Sequence, residues 1–299
     1  MSRKALFHRS ELLVGPEAMA RLGSARVILF GIGGVGSWTA EGLIRSGIGH
    51  LTLVDSDCVC ITNVNRQLQA TTANVGRVKV DELAARLHTI NPDADVVARH
   101  ELYDIATRDS FALETYDYVV DAIDSLSAKL GLILQALDVG ATLFSTMGAS
   151  GKLDPSRVRV GSVWESRGCP LAARIRKRLR HHGFTGDFQV VYSDELRMNQ
   201  GAAAACGTGS CFCPRFGISD SGQPIEAHEW CSHKAFINGS MVHITAIFGM
   251  CLAGLVINDA IAKAGPLPRE KGLSPAASMP DRTDLENLDA SRKGRRPGT

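Results

Sequence analysis

The chain predicts an α/β fold, in which a doubly wound, mostly parallel sheet carries an added C-terminal region. Three observations predict it. Short β-rich runs alternate with helical patterns through the first half, as in a parallel sheet covered on both faces. The first run passes straight into a glycine-rich turn and then a helical pattern. The second run ends in an aspartate, Asp55, where such sheets bind ligands.

Arg26-Val27-Ile28-Leu29-Phe30 reads as a buried strand, and Gly31-Ile32-Gly33-Gly34-Val35-Gly36 follows it directly. A helical pattern runs from Ser37 to about Ser46, and His50 to Val54 is a second strand ending at Asp55. After a loop of about twenty residues, long enough to suggest function, a helical pattern covers Arg77 to Ile90 and stops at Asn91-Pro92. Asp95 to Arg99 is a weaker strand, and Tyr118-Val119-Val120 a strong one ending at Asp121. Ser125 to Val139 is helical, and Thr142 to Thr146 is a further strand.

The pattern changes after Gly148. Val158 to Val163 alternates like an edge strand, Pro170 to His182 is a basic helix, and Gln200 to Pro214, rich in Gly, Ala and Cys, reads as loop. Met241 to Ile257 approaches the ~20 apolar residues of a membrane span. His243 and Thr245 interrupt it, however, and Asn258-Asp259 ends it, so it predicts a core helix and no membrane association. The nucleotide-binding part is expected over about 24–148 and a substrate- and RNA-facing part over about 149–263. From Ala264 hydrophobic periodicity is lost, and 264–299 predicts a disordered tail.

Composition narrows the function classes. Net charge is +2, with 44% hydrophobic and 21% charged residues among 299, which excludes a disordered, fibrous or histone-like chain. Eight cysteines are too few for a disulfide scaffold of this length, and the start of the chain has no apolar signal-peptide core. Free thiols in a cytoplasmic protein are the expectation. Of Cys58 and Cys60, period-two packing should bury one in the core.

Gly31, Gly33 and Gly36 fit G-x-G-x-x-G between strand and helix, a Rossmann-like context that offers backbone N–H groups and a helix N-terminus to a phosphate. Asp55, 19 residues beyond Gly36, suits ribose hydroxyls. Singly, Lys79 reads as a solvated helix residue and Asp124 as a helix N-cap. Together with Arg66 they offer a guanidinium fork and an ammonium for phosphates, and a carboxylate for Mg²⁺. A nicotinamide site has no need of that set, whereas a triphosphate attacked at its α-phosphorus does. Arg174, Arg176, Lys177, Arg178 and Arg180 concentrate five charges on one short helix anchored by Leu171, Ile175 and Leu179. That density suits RNA phosphates, and equally a solvated face. Cys206, Cys211, Cys213 and Cys231, with His228 and His233 nearby, contain enough soft ligands for Zn²⁺, but their spacing is irregular and free thiols are the alternative.

These motifs resemble the adenylating core of the ThiF/MoeB/ubiquitin-activating superfamily. The resemblance rests on Gly31 to Gly36 (Gly34 included), Asp55-Ser56-Asp57, Asn63-Val64-Asn65-Arg66-Gln67, Gly76-Arg77-Val78-Lys79 and Asp121-Ala122-Ile123-Asp124-Ser125. Arg9 to Gly15 is similar to that superfamily's N-terminal segment, whose arginine reaches a partner subunit's site. Within it, Ile61-Thr62-Asn63, Gln67-Leu68-Gln69-Ala70, Ile90-Asn91-Pro92, Pro170-Leu171-Ala172 and Val190-Val191-Tyr192-Ser193 resemble the TcdA (CsdL) branch, the tRNA threonylcarbamoyladenosine dehydratases. The likeness spans about Phe7 to Lys263.

The resemblance implies ATP over the glycine-rich turn, Asp55 on the ribose, and Asp57, Asn63, Asn65, Arg66 and Lys79 among the nucleotide-binding residues. Arg66, Lys79, Mg²⁺ near Asp124, and Arg9 from a second subunit of a homodimer would serve catalysis. In that branch the adenylated acid is the threonyl carboxylate of a modified tRNA adenosine, and ring closure then expels AMP. Sulfur-transfer partner proteins are a further implied class. Cys231 stands about where the branch carries a thiol, though ring closure needs none. Cys169 stands where the branch has an acid. Two other readings remain: activation of a ubiquitin-like or sulfur-carrier C-terminus, and a nucleotide-binding scaffold without catalysis. The absence of two Cys-x-x-Cys pairs and the basic helix favour the dehydratase over the first, and the set Arg66, Lys79 and Asp124 disfavours the second.

Overall fold

In a computed structural model, which describes residues 3–201 and 238–265, a seven-stranded sheet is layered between helices on both faces. Helices α1 (Arg3–Leu6), α2 (His8–Val14) and α3 (Pro16–Ser24) precede β1 (Arg26–Phe30). Then follow α4 (Gly36–Arg45), β2 (His50–Val54), α5 (Lys79–Ile90), β3 (Asp95–Arg99), β4 (Tyr118–Asp121), α6 (Leu126–Asp138) and β5 (Thr142–Thr146). The chain continues through β6 (Val158–Ser162), α7 (Pro170–His181), β7 (Gln189–Ser193) and α8 (Val242–Lys263). Strand order is β3-β2-β1-β4-β5-β7-β6; every pair is parallel except β6 with β7, which makes β6 the antiparallel edge.

Strand alternation divides the core in two. Val27 and Leu29 of β1 join Tyr118 and Val120 of β4 on one face, under α4, α5 and α8 through Leu43, Leu83, Phe248 and Leu252. Ile28, Phe30 and Val119 point to the other face, under α6 and α7 through Leu132, Ile133, Ile175 and Leu179. Strands buried on both faces read as unbroken apolar runs, which is why the central ones were plain in the sequence.

Four expectations need correction. The helices before β1 and the strand β7 are elements beyond the strand–helix alternation that the sequence predicts. Helix α5 starts at Lys79 and not Arg77, because Val78 is extended and bridges Cys58. Between the two flanking cysteines it is Val59 that packs into the core; Cys58 and Cys60 both stay partly exposed. Helix α8 runs past Asn258-Asp259 to Lys263, since Asp259 accepts the Tyr118 hydroxyl (2.8 Å) and pairs with Lys263 (2.7 Å). It is the one described helix long and apolar enough to cross a membrane. Ile244, Phe248, Leu252 and Val256 are nevertheless buried in the core, while Met241, Val242 and Met250 are exposed.

Candidate functional site

Chain order reverses between β1 and β4, and at such a switch point the connections leave a crevice beyond the strand carboxyl ends. Two loops border it. After β1 the chain turns at Gly31 (φ +87°), where a Cβ would come within 2.7 Å of the Ala122 carbonyl oxygen on the loop after β4. Gly36 opens α4 so close beneath that a Cβ there would sit 1.9 Å from the Gly31 oxygen. No larger residue fits either place, and the turn leaves the N-terminus of α4 at the crevice, where backbone N–H groups and the helix dipole favour an anion. Gly33 and Gly34 lie under the next loop: a Cβ on Gly33 would be 3.9 Å from Gln67 Nε2, and one on Gly34 3.2 Å from Arg66 Cγ.

Asp55, just past β2, is braced on both oxygens. Oδ2 accepts the Ile32 N–H of the glycine-rich turn (2.6 Å), and Oδ1 accepts the Asp57 N–H (2.8 Å). Lys79, at the first position of α5, is only 5% exposed along its side chain and is thus not a solvated helix residue. Its Nζ lies 2.6 Å from Asp57 Oδ2 and 3.9 Å from Asp55 Oδ1. Burial opposes the Lys79 charge, but Asp55 and Asp57, with a smaller contribution from Asp124, outweigh it and hold the ammonium above its ordinary range. Burial pushes Asp55 up, and the Lys79 ammonium offsets part of that rise. A polyphosphate in the crevice would compete with the two aspartates for Lys79.

The long loop after β2 is tied down at many points. Asn63 Oδ1 accepts the Cys60 N–H (3.1 Å), so this oxygen serves its own turn. Asn65 Nδ2 donates to the Ser240 carbonyl ahead of α8 (3.0 Å). Arg66 Nη1 donates to the Thr62 carbonyl (2.7 Å) and to Asn65 Oδ1 (3.0 Å), while its own carbonyl accepts from Trp38 of α4 (3.1 Å). Gln69 Nε2 donates to the Ile32 carbonyl (2.9 Å). Arg66 is therefore held over the glycine-rich turn by the Thr62 carbonyl, the Asn65 amide oxygen and the Trp38 indole. Asp124 is exposed on the loop after β4, and the N-cap position of α6 is taken by Ser125.

Two groups received no role from the sequence. Gln67 is buried with its amide over Gly33, and its place beside Arg66 was the available signal. Asp121 and Lys129 form a wholly buried pair at 2.7 Å under the same loop. Nothing local marks Lys129, since a lysine four residues into an amphipathic helix usually faces solvent.

The remaining expected residues lie elsewhere. Arg9 is exposed on α2, beside Leu12 (74% exposed) and Leu13 (81%). On α7, Ala172, Ile175 and Leu179 are buried, whereas Leu171 is only partly so. Arg174, Lys177 and Arg178 are exposed, but Arg176 donates to the carbonyl and hydroxyl of Ser166, and Arg180 lies 5.1 Å from the centre of the Trp164 ring. Cys169 caps α7, its Sγ accepting the Gly148 N–H (3.2 Å) and the Ala172 N–H (3.5 Å). Cys206, Cys211, Cys213, Cys231, His228 and His233, like the tail from residue 266, lie outside the described residues. Among the described residues no group of three or more His, Cys, Asp or Glu is arranged to hold a metal.

Comparison with known proteins bears on the same region. Residues 7–263 match the ThiF family. The chain is 42% identical over 189 residues to a tRNA threonylcarbamoyladenosine dehydratase of Bacillus subtilis, covering 63% of this chain and 74% of that protein. It is 32% identical over 259 residues to the like-named protein of Haemophilus influenzae, covering 84% and 91%. The crystal structure of the Escherichia coli tRNA N6-threonylcarbamoyladenosine dehydratase TcdA in complex with AMP superposes with a TM-score of 0.72 at 31% identity, covering 87% of this chain and 96% of that one. The same protein has been solved with ATP. A sulfur carrier protein adenylyltransferase of Thermus thermophilus is 36% identical over only 128 residues, 41% of this chain and 46% of that protein.

Proposed function

The chain belongs to the ThiF family, and from that premise we infer that it is an ATP-dependent tRNA threonylcarbamoyladenosine dehydratase. The observation that carries the chemistry is the buried Lys79 ammonium, held by Asp55 and Asp57 at the switch point beside the glycine-rich turn. Hydride transfer has no use for a cation there; displacement at a phosphorus does.

In this reading ATP lies over Gly31, Gly33, Gly34 and Gly36, with Asp55 toward the ribose and Asp57, Asn63 and Asn65 in the surrounding shell. The threonyl carboxylate forms a bond to the α-phosphorus, the bond to the bridging oxygen breaks, and pyrophosphate leaves. Arg66 and Lys79 stabilise the added charge on the phosphate oxygens. The carbamoyl group, tethered to the same nucleoside, then attacks the activated carbonyl, closes a ring and expels AMP. One water is lost overall, and orientation supplies most of what the second step requires.

Mg²⁺ fits the crevice: Asp124 is an exposed carboxylate there whose charge already acts on Lys79, and Mg²⁺ commonly takes one or two carboxylates beside phosphates and water. When bound it would neutralise phosphate charge. The exposed Arg174, Lys177, Arg178 and Arg180 are proposed to meet tRNA phosphates, with Arg176 turned toward Ser166. The protein is proposed to be a homodimer in which Arg9 completes the neighbour's site. A cytoplasmic location agrees with its tRNA substrate. Zn²⁺ at Cys206, Cys211, Cys213 and Cys231 and any sulfur-transfer partner stay proposals from the sequence.

The test is ATP–pyrophosphate exchange with threonylcarbamoyladenosine-bearing tRNA, with a sulfur-carrier protein, and with neither. Exchange is expected with the tRNA, accompanied by loss of one water from the nucleoside on mass analysis. Arg66→Ala should lower exchange about 100-fold or more while the fold persists. Exchange supported only by the carrier protein would replace this function with the carrier-activating one.

A further inference from the structure

The loop that carries Asp124 is held from below by a charged clamp. Asp121 ends β4 with a fully buried carboxylate whose Oδ1 accepts the Ile123 N–H (3.0 Å). Its Oδ2 accepts the Ser145 hydroxyl of β5 (2.6 Å) and lies 2.7 Å from Lys129 Nζ, both side chains being 0% exposed. Lys129 Nζ also donates to the Ile123 carbonyl (2.9 Å). That carbonyl belongs to the peptide joining Ile123 to Asp124. One residue earlier, the Ala122 N–H is bound to the Phe30 carbonyl of β1 (2.8 Å), and the Ala122 oxygen lies against Gly31. Each peptide from β4 to Asp124 is thereby fixed.

Stability alone does not explain this arrangement. A buried ion pair is expensive to desolvate and can often be exchanged for neutral groups of like shape without loss. Lys129 also sits in the opening turn of α6, where the helix dipole disfavours a cation. What the pair does provide is one orientation for the peptide entering Asp124.

We propose that Lys129 is a positioning residue for the adenylation step, holding the Asp124 carboxylate in the alignment that receives the cation of the nucleotide complex through the Ile123–Asp124 peptide. The inference rests on the adenylating function proposed above. The ammonium itself reaches no reacting atom; it acts by denying Asp124 alternative loop conformations.

The test compares wild-type protein with the double variant Asp121→Asn/Lys129→Met, which removes both charges together and takes the donor from the Ile123 carbonyl. Mn²⁺ binding by electron paramagnetic resonance, with a non-hydrolysable ATP analogue present, gives a readout independent of turnover. The double variant should unfold cooperatively like wild type and bind the analogue without metal as wild type does. Its Mn²⁺ affinity should fall roughly tenfold and its exchange kcat roughly 10–100-fold, the range seen when second-layer partners of a metal site are lost. Its KM for metal–ATP should rise by about the same factor as the Mn²⁺ affinity falls, because with metal-free analogue binding unchanged the weakened metal site must appear in the affinity for the metal–nucleotide complex. Should the double variant not fold, Lys129→Arg keeps the charge but changes its reach, and is expected to fold and weaken Mn²⁺ severalfold. A folded variant with wild-type Mn²⁺ affinity and kcat overturns the proposal, as does a parallel loss of metal-free analogue binding, which marks a general structural role. Wild-type protein without exchange would remove the adenylating function itself, a different result from either.

Discussion

Lys79 and Glu195 show how a single side chain's surroundings decide its protonation. Lys79 is buried yet charged because two carboxylates face it. Glu195 is the complement: the Asp154 amide, then the Arg197 guanidinium and the Leu153 amide, hold its carboxyl down at about 2. For an acid whose folded value is depressed, the stabilisation is complete above the unfolded value of 4.5 and is lost as pH falls toward about 2. Glu195→Gln should therefore cost about 1–3 kcal/mol at neutral pH, where charge-assisted hydrogen bonds are lost. It should also be less sensitive than wild type to acid between those two values. Urea midpoints across that range check it; parallel curves for the two proteins would refute the assigned role.

Among elements, α7 was legible in both its register and its charge, because apolar residues at helical spacing left the arginines outside. Its pattern did not reveal that Arg176 would turn back to Ser166 or that Arg180 would lie on Trp164, since both partners come from the segment before the helix. The exposed Arg174, Lys177, Arg178 and Arg180 should thus dominate any RNA contact. Reversing Arg174, Lys177 and Arg178 to Glu is expected to weaken tRNA binding by more than about tenfold and to flatten its dependence on salt. ATP binding without RNA should be unchanged. Filter binding at several salt concentrations measures this, and an unaltered affinity would move the RNA surface elsewhere. Strand β7 is harder to read because its five residues are a short run whose burial does not alternate strictly.

For the whole molecule, the exposed Arg9, Leu12 and Leu13 on α2 bear on assembly. Subunits carrying Arg9→Ala and subunits carrying Arg66→Ala should each be inactive. If Arg9 serves the neighbour's site, mixing them restores about one quarter of activity, because random pairing makes half the dimers mixed and leaves one intact site in each. Equilibrium sedimentation should show the dimer. Mixed subunits that stay inactive would place Arg9 in its own subunit's site.

The sequence by itself determined the alternation of strands and helices, the glycine-rich turn after β1 and the family to which the chain belongs. These follow from local periodicity and from residue types that only one backbone geometry tolerates. The tertiary structure alone decided which polar groups share an enclosed space. Asp121, Lys129 and Ser145 meet because β4 and β5 are paired and α6 crosses below them. Lys79 is buried because Asp55 and Asp57 converge on the start of α5. Burial and pairing depend on residues distant in the chain, and no local pattern carries them.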